Sequence, residues 1–296
     1  MIHAKGLLFG SLPNLMLNWR QALALAAVLV VGWLVLRHRF QGLSAVCREG
    51  SIIAVLFAVW QLVQEPDISI GGNALARGRW IERFQTAIHL PNERHVQDLI
   101  LGHPDVVRLA NLYYATMHFT VMGIFLVWLY VRHRDAYPRI RTSLAIAVLG
   151  CFIVQLMPVA PPRLLPGFVD TAELYGQSVY NAGFSVDALG AMPSVHVLFA
   201  SVVGWFTWRV STSKWRYIAV LHFVVTVFVI VATANHWWLD GIVAIALLIA
   251  AVQLHDAVTR LVHRRRRGSA RGDDRGSLVD GADEVDRGLH RPALGK

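Results

Sequence analysis

Hydrophobic positions in this chain come in long blocks, with the charged residues gathered between them. Ala22–Leu36, Phe119–Val131, Leu144–Val159 and Gly241–Leu254 contain no Lys, Arg, Asp or Glu. With their flanks, several of these blocks reach the ~20 residues that a helix needs to cross a bilayer. Seven spans are predicted, over residues 19–37, 49–66, 106–132, 140–159, 192–209, 215–234 and 236–258. The second has the shortest clean apolar core, Ser51–Trp60, with Gln61, Gln64 and Glu65 following it. The first is closed by Arg37-His38-Arg39 and no small-residue cleavage site follows, so it reads as a retained anchor. Between the second and third spans, Leu75, Trp80, Ile81, Phe84 and Ile88 recur at roughly helical spacing. That pattern predicts an amphipathic helix at the interface, serving as a cover packed over the bundle or as a recognition surface.

Composition supports the membrane reading. The chain is 55% hydrophobic and 16% charged, where a soluble domain carries about a quarter charged residues. The expected fold is all-α, a polytopic membrane bundle of six to seven transmembrane helices. It divides into N-terminal transmembrane helices (1–66), an outer amphipathic loop (67–105), a transmembrane core (106–258) and a tail (259–296) that is basic, then disordered. Arg264–Arg267 opens the tail and reads as a stop-transfer signal, with contact to anionic lipid as the other reading.

The net charge of +9 does not imply a nucleic-acid partner, because the basic residues sit in short clusters between spans. The clusters are Arg37, Arg39 and Arg48; Arg132, Arg134, Arg139 and Arg141; Arg209, Lys214 and Arg216; and Arg264–Arg267. With seven spans all four fall on one side, which the Lys/Arg bias makes cytoplasmic. The N-terminus, the 67–105 loop, the 160–191 loop and the turn at Thr233–His236 then face outward, and the C-terminus inward. Cys47, in an inter-span loop, and Cys151, inside a span, suggest no disulfide.

Three polar stretches converge on the outer side: Pro158-Val-Ala-Pro-Pro-Arg163, Gly190-Ala-Met-Pro-Ser-Val-His196 and Asn235-His-Trp-Trp-Leu-Asp240. In the second, Pro193 suits the first position of a helix. Ser194 and His196 then lie in a first turn whose free N–H groups favour an anion. A capping serine beside an interfacial histidine is the other reading. In the third, His236 and Asp240 are four apart and share a helical face. A carboxylate on one ring nitrogen fixes the tautomer and leaves the other free to attack. A structural pair near the interface, with Trp237 and Trp238 in an aromatic belt, competes with that reading. Against it stands the cost of an intramembrane Asp, a few kcal/mol on insertion scales. Arg163 offers a guanidinium suited to phosphoryl oxygens, or a side chain that snorkels to headgroups. Asn111, Tyr114 and His118 share one face of the third span, as pocket lining or as interhelical hydrogen-bonding groups.

Taken together, residues 106–256 resemble the type 2 phosphatidic acid phosphatase superfamily in residue types, order, spacing and sidedness. By that resemblance His236 is the nucleophile, Asp240 its orienting partner and His196 the acid that protonates the leaving oxygen. Ser194 and Arg163 hold the phosphate. The substrate implied is a lipid phosphate or phospholipid, and no cofactor is implied. Val195 stands where the family has glycine, Leu164 where it has proline, and Leu156 and Ile230 where it has a lysine and an arginine. Met-Pro-Ser-Val-His, His-Trp-Trp-Leu-Asp and the Asn111, Tyr114, His118 trio look more like the inositol-phosphorylceramide synthase branch. That likeness implies transfer of a phospho-headgroup to an alcohol acceptor; a phosphatidic acid or prenyl phosphate phosphatase is the alternative.

Other classes fit less well. His118, His196, His236 and Asp240 are legitimate zinc ligands, but no His-Glu-x-x-His or similar close pair accompanies them, so no metal is assigned. No Gly-x-Ser-x-Gly elbow surrounds Ser194, against a serine protease. A transporter would show repeat symmetry and midplane polar residues.

Overall fold

Backbone groups in hydrocarbon must be bonded within the segment, which favours helices. The computed structural model describes residues 17–63, 72–177 and 189–289, with side chains through Arg264. Its helices are α1 (Trp19–Leu36), α2 (Gln41–Val63), α3 (Ala74–Ala87), α4 (Glu93–Leu101), α5 (Pro104–Arg132), α6 (Tyr137–Gln155), α7 (Thr171–Leu174), α8 (Val195–Val210), α9 (Trp215–Ala232) and α10 (Trp238–Leu289). Six of them, α1, α2, α5, α6, α9 and α10 as far as Arg264, are long and apolar enough to cross a membrane. The protein is an integral membrane helical bundle.

The remaining predicted span, 192–209, is α8, which has 16 residues and so runs only about 24 Å. It is shorter than expected because residues 192–194 precede the helix and enter the site instead. Its sides are packed by α5, α6 and α9, so protein, not lipid, surrounds most of it.

The second span begins at Gln41, not at residue 49, which places Cys47 in a helix instead of a loop. The polar residues there are satisfied within the protein. Ser44 Oγ donates to the Trp33 carbonyl at 3.2 Å, and Glu49 accepts from Arg141 at 2.7 Å and from the Tyr137 hydroxyl at 2.9 Å. The end of that predicted span, residues 64–66, lies outside the described residues, as do 1–16, 67–71 and 178–188.

The outer loop forms two helices. In α3 the packed face is Ala74, Gly78, Ile81 and Gln85, while Leu75, Trp80, Phe84 and Ile88 stay exposed. Only Ile81 of the predicted apolar stripe turns inward. The small residues win the packed face because α3 lies directly on backbone: a Cβ on Gly78 would come within 2.8 Å of the Ala160 carbonyl oxygen. Helix α4 is tied to the following loop by Gln97, which exchanges hydrogen bonds with both backbone groups of Val169.

By contacts the chain separates into two units, Met1–Ala251 and Val252–Lys296. In the second the backbone is helical to Leu289, where composition predicts disorder.

Candidate active site

Three consecutive chain reversals set the site. Helix α6 runs towards it, α8 away, α9 back and α10 away, so the α6–α8 loop and the α9–α10 turn meet at one end. The Arg-rich turns α1–α2 and α5–α6 lie at the other end, joined by the Glu49–Arg141 ion pair. Backbone bonds stitch the three polar stretches together. The Arg163 N–H donates to the Ala234 carbonyl at 2.9 Å, and the Ser194 N–H to the Asp240 carbonyl at 3.1 Å. The buried Trp237 indole donates to the Ala160 carbonyl at 2.9 Å. Trp237 is therefore a core residue and not part of an aromatic belt.

Ser194 is the N-cap of α8, its hydroxyl accepting the Val197 N–H at 3.3 Å. Pro193 thus precedes the cap instead of opening the helix. The hydroxyl takes the cap position, worth about 1 kcal/mol, and His196 falls on the first turn. Val195, in place of a glycine, is the first residue of that helix.

His236 does not share a helix with Asp240, because α10 starts only at Trp238. The pair forms all the same, since Asp240 reaches back over the helix start. Its Oδ2 accepts the Trp237 N–H at 2.8 Å and lies 3.3 Å from His236 Nδ1. The same Nδ1 is 2.8 Å from the Ala191 carbonyl oxygen. A carbonyl only accepts, so Nδ1 carries a proton, and in the neutral ring Nε2 keeps its lone pair. His236 Nε2, His196 Nε2 and Asp240 Oδ1 are buried and make no hydrogen bond among the described residues. Buried polar atoms left unpaired call for an explanation, and a reactive role is one.

His196 lies between two aromatic neighbours from α5. Tyr114 stacks on it with centroids 4.3 Å apart, and the His118 ring is 4.1 Å away. The His236 ring is 5.4 Å from it on the other side. His118 Nδ1 donates to the Tyr114 carbonyl at 3.1 Å. Tyr114 and His118 therefore join the two imidazoles. Asn111 does not: both ends of its amide are bonded to Thr171 of α7, at 3.0 and 2.9 Å. It fulfils the structural alternative, an interhelical tie.

Arg163 is buried in a short 3₁₀ turn, Pro162–Leu164. The Leu164 N–H closes that turn on the Pro161 carbonyl at 3.1 Å, a bond that a proline at this position could not make. The guanidinium donates to Asn235 Oδ1 at 2.7 Å and pairs with Asp170 at 3.2 Å. Burial excludes the snorkelling alternative. Ile230, where a second arginine is expected, is a buried core residue.

Four contributors escape a sequence reading. Asn235 and Asp170 orient Arg163. Gln85 and Glu93, both buried, reach the start of α10: Gln85 Oε1 accepts the Leu239 N–H at 2.8 Å, and Glu93 Oε1 the Trp238 N–H at 3.4 Å. The one available signal was Gln85, a polar residue on the same helical face as Ile81. Burial pushes the Glu93 carboxyl above its ordinary pKa, against the lowering effect of the N–H groups it accepts. Among the described residues, no group of three or more His, Cys, Asp or Glu is arranged to hold a metal.

Two cavities lie elsewhere. One of about 380 Å³ opens between α8, α9 and α10 beside Trp205 and Trp208, and another of about 350 Å³ runs past Val227, Trp238 and Ile242. Both are apolar clefts, and neither is lined by the two imidazoles. A family model for the PAP2 superfamily matches residues 79–254, from α3 into α10. Comparison with curated proteins and with solved structures yields no match.

Proposed function

The chain belongs to the PAP2 superfamily, whose chemistry is phosphatase or phosphotransferase action on lipid phosphates, and on that premise we propose that it transfers a phosphoryl group or phospho-headgroup from a lipid to an alcohol through a phosphohistidine. One observation carries the reading: His236 has its Nδ1 proton committed to Ala191 and Asp240, and a bare Nε2 beside a second imidazole. The Nε2 lone pair attacks phosphorus. The bond to the leaving lipid oxygen breaks, and His196 gives that oxygen its proton. In the second half an alcohol attacks the phosphohistidine. His196 takes the alcohol's proton, and the phosphorus–nitrogen bond breaks. Arg163 and Ser194 hold the phosphoryl oxygens, and a preorganised guanidinium suits charge that develops in the transition state.

Transfer is favoured over hydrolysis because a transferase must keep water from the intermediate. His236 and Asp240 are almost fully buried, and the aromatic wall of Tyr114 and His118 gives an acceptor hydroxyl a place beside His196. The sparse positive charge, with Leu156 and Ile230 where the resemblance expects a lysine and an arginine, points to the synthase-like branch. Purified protein given a labelled phospholipid and a panel of polyol and lipid alcohols should yield a new phosphodiester. Tyr114→Phe and His118→Ala should lower transfer more than residual hydrolysis. A lipid phosphatase would release free phosphate as sole product whatever alcohol is offered, and that result would end the transferase reading.

The site is proposed to face outward, with the basic turns in the cytoplasm. In a background lacking Cys47 and Cys151, a cysteine replacing the exposed Asp105 should react with an impermeant thiol reagent in intact cells. One replacing the exposed Thr212 should react only after permeabilisation. The opposite pattern reverses the orientation.

A further inference from the structure

Helix α10 begins at Trp238 after Trp237, a residue with no side-chain acceptor to serve as its N-cap. Asp240, three residues past Trp237, accepts the Trp237 N–H at 2.8 Å, which is one half of a capping box. The other half needs an acceptor at Trp237 for the next free N–H groups, and an indole has none. Those N–H groups are satisfied from a distant part of the chain. Trp238 N–H reaches Glu93 Oε1 and Leu239 N–H reaches Gln85 Oε1, while Gln85 Nε2 donates to the same Glu93 oxygen at 2.6 Å. The Trp238 indole adds a bond to the Pro91 carbonyl at 2.8 Å. Gln85 and Glu93 are 2% and 4% exposed, so little water competes for these bonds.

We infer that Gln85 and Glu93 are positioning residues for the reaction: the two-helix cover supplies the missing N-cap of the catalytic helix. Asp240 lies in the first turn of α10, and His236 is aimed by Asp240 and by the backbone before that turn. Letting the turn fray moves both. A displacement of about 1 Å at a reacting group can cost on the order of 100-fold in rate. Arg163 is held by Ala234 and Asn235, before the capped turn, and only Ser194 leans on that turn, through the Asp240 carbonyl, so kcat falls further than KM rises. The inference rests on the proposed role of His236, and its test has a readout that does not.

Three variants separate the outcomes. Glu93→Leu removes the acceptor and should lower kcat about 10- to 100-fold, with a smaller change in KM. Glu93→Gln keeps an acceptor oxygen without a buried charge and should retain most of the rate. Gln85→Leu should resemble Glu93→Leu. Amide hydrogen exchange across residues 236–242 in detergent should quicken in both leucine variants and stay near wild type in Glu93→Gln. If exchange quickens but wild type forms no phosphoenzyme on any lipid phosphate, the capping stands and the phosphohistidine reading fails. If exchange is unchanged, or the leucine variants raise KM alone, the positioning role is wrong.

Discussion

The N-terminal hairpin α1–α2 and the helices α8 and α10, the latter as far as Arg264, are similarly apolar, yet they are held in opposite ways. In the hairpin, Val28, Val31 and Val35 point outward, 58% to 70% exposed, and the two helices pack mainly on each other. Its polar tie to the rest is the cluster of Glu49, Tyr137 and Arg141. Helices α8 and α10 start in a web of backbone and side-chain bonds drawn from residues as far back as Gln85. The family match begins at residue 79 and leaves the hairpin out. In lipid, apolar surface gives little drive for helices to associate, so position comes from close packing and hydrogen bonds. These are spent where chemistry needs fixed geometry.

The strongest way to break this contrast is at the web's centre. His236→Ala should reduce turnover to background, and rapid quenching of wild type should trap an acid-labile phosphoenzyme that the variant lacks. Near-normal turnover in His236→Ala would remove the proposed mechanism. His196→Ala should cost on the order of 10²–10⁴-fold, least for lipids with good leaving groups, because its task is to protonate the departing oxygen. A loss independent of leaving group would deny His196 that role.

A milder change tests how tightly the cover sits. Gly78 has no room for a side chain against the Ala160 carbonyl, so Gly78→Ala should overpack the joint by roughly 1–3 kcal/mol. Thermal unfolding in detergent should move down accordingly, with part of the activity lost through the Ala160–Trp237 bond. An unchanged melting temperature would mean that the cover rides loosely on the α6–α8 loop.

Much of this was legible in the residues. Block hydrophobicity gave the helical class and the positions of the long spans, because crossing hydrocarbon constrains composition over many consecutive residues. Pro-Ser-Val-His and His-Trp-Trp-Leu-Asp marked the segments that meet. Local register was harder to read: α8 starts after a capping Ser194 instead of at Pro193, and α10 begins two residues after His236, since one hydroxyl or carboxylate decides where a helix starts. The packed face of α3 was not legible, because hydrophobicity does not report which side lies on backbone, where only small residues fit. Asn111 could be read as pocket lining or as an interhelical tie, and both ends of its amide are bonded to Thr171, sixty residues on. The caps from Gln85 and Glu93 span 154 and 145 residues, and no local pattern announces a bond of that reach.

The smallest effect is expected at the hairpin's own anchor. Glu49 accepts from Tyr137 and Arg141 and pairs also with Arg48 at 2.9 Å. Its side chain is 15% exposed and that of Arg141 24%, so the pair keeps partial contact with solvent and should contribute about 1 kcal/mol. A double-mutant cycle of Glu49→Gln with Arg141→Met should return a coupling of that size from unfolding measurements. Turnover in either single variant should stay within about twofold of wild type, since surface changes remote from a site usually cost little. The hairpin meets the catalytic helices through α6, which packs beside α8 and feeds the site through the loop that follows it. Were Glu49→Gln to depress turnover as deeply as the leucine variants at Glu93, the hairpin would be coupled to the site through α6, and the division between a lipid-facing anchor and a bonded catalytic core would have to be given up.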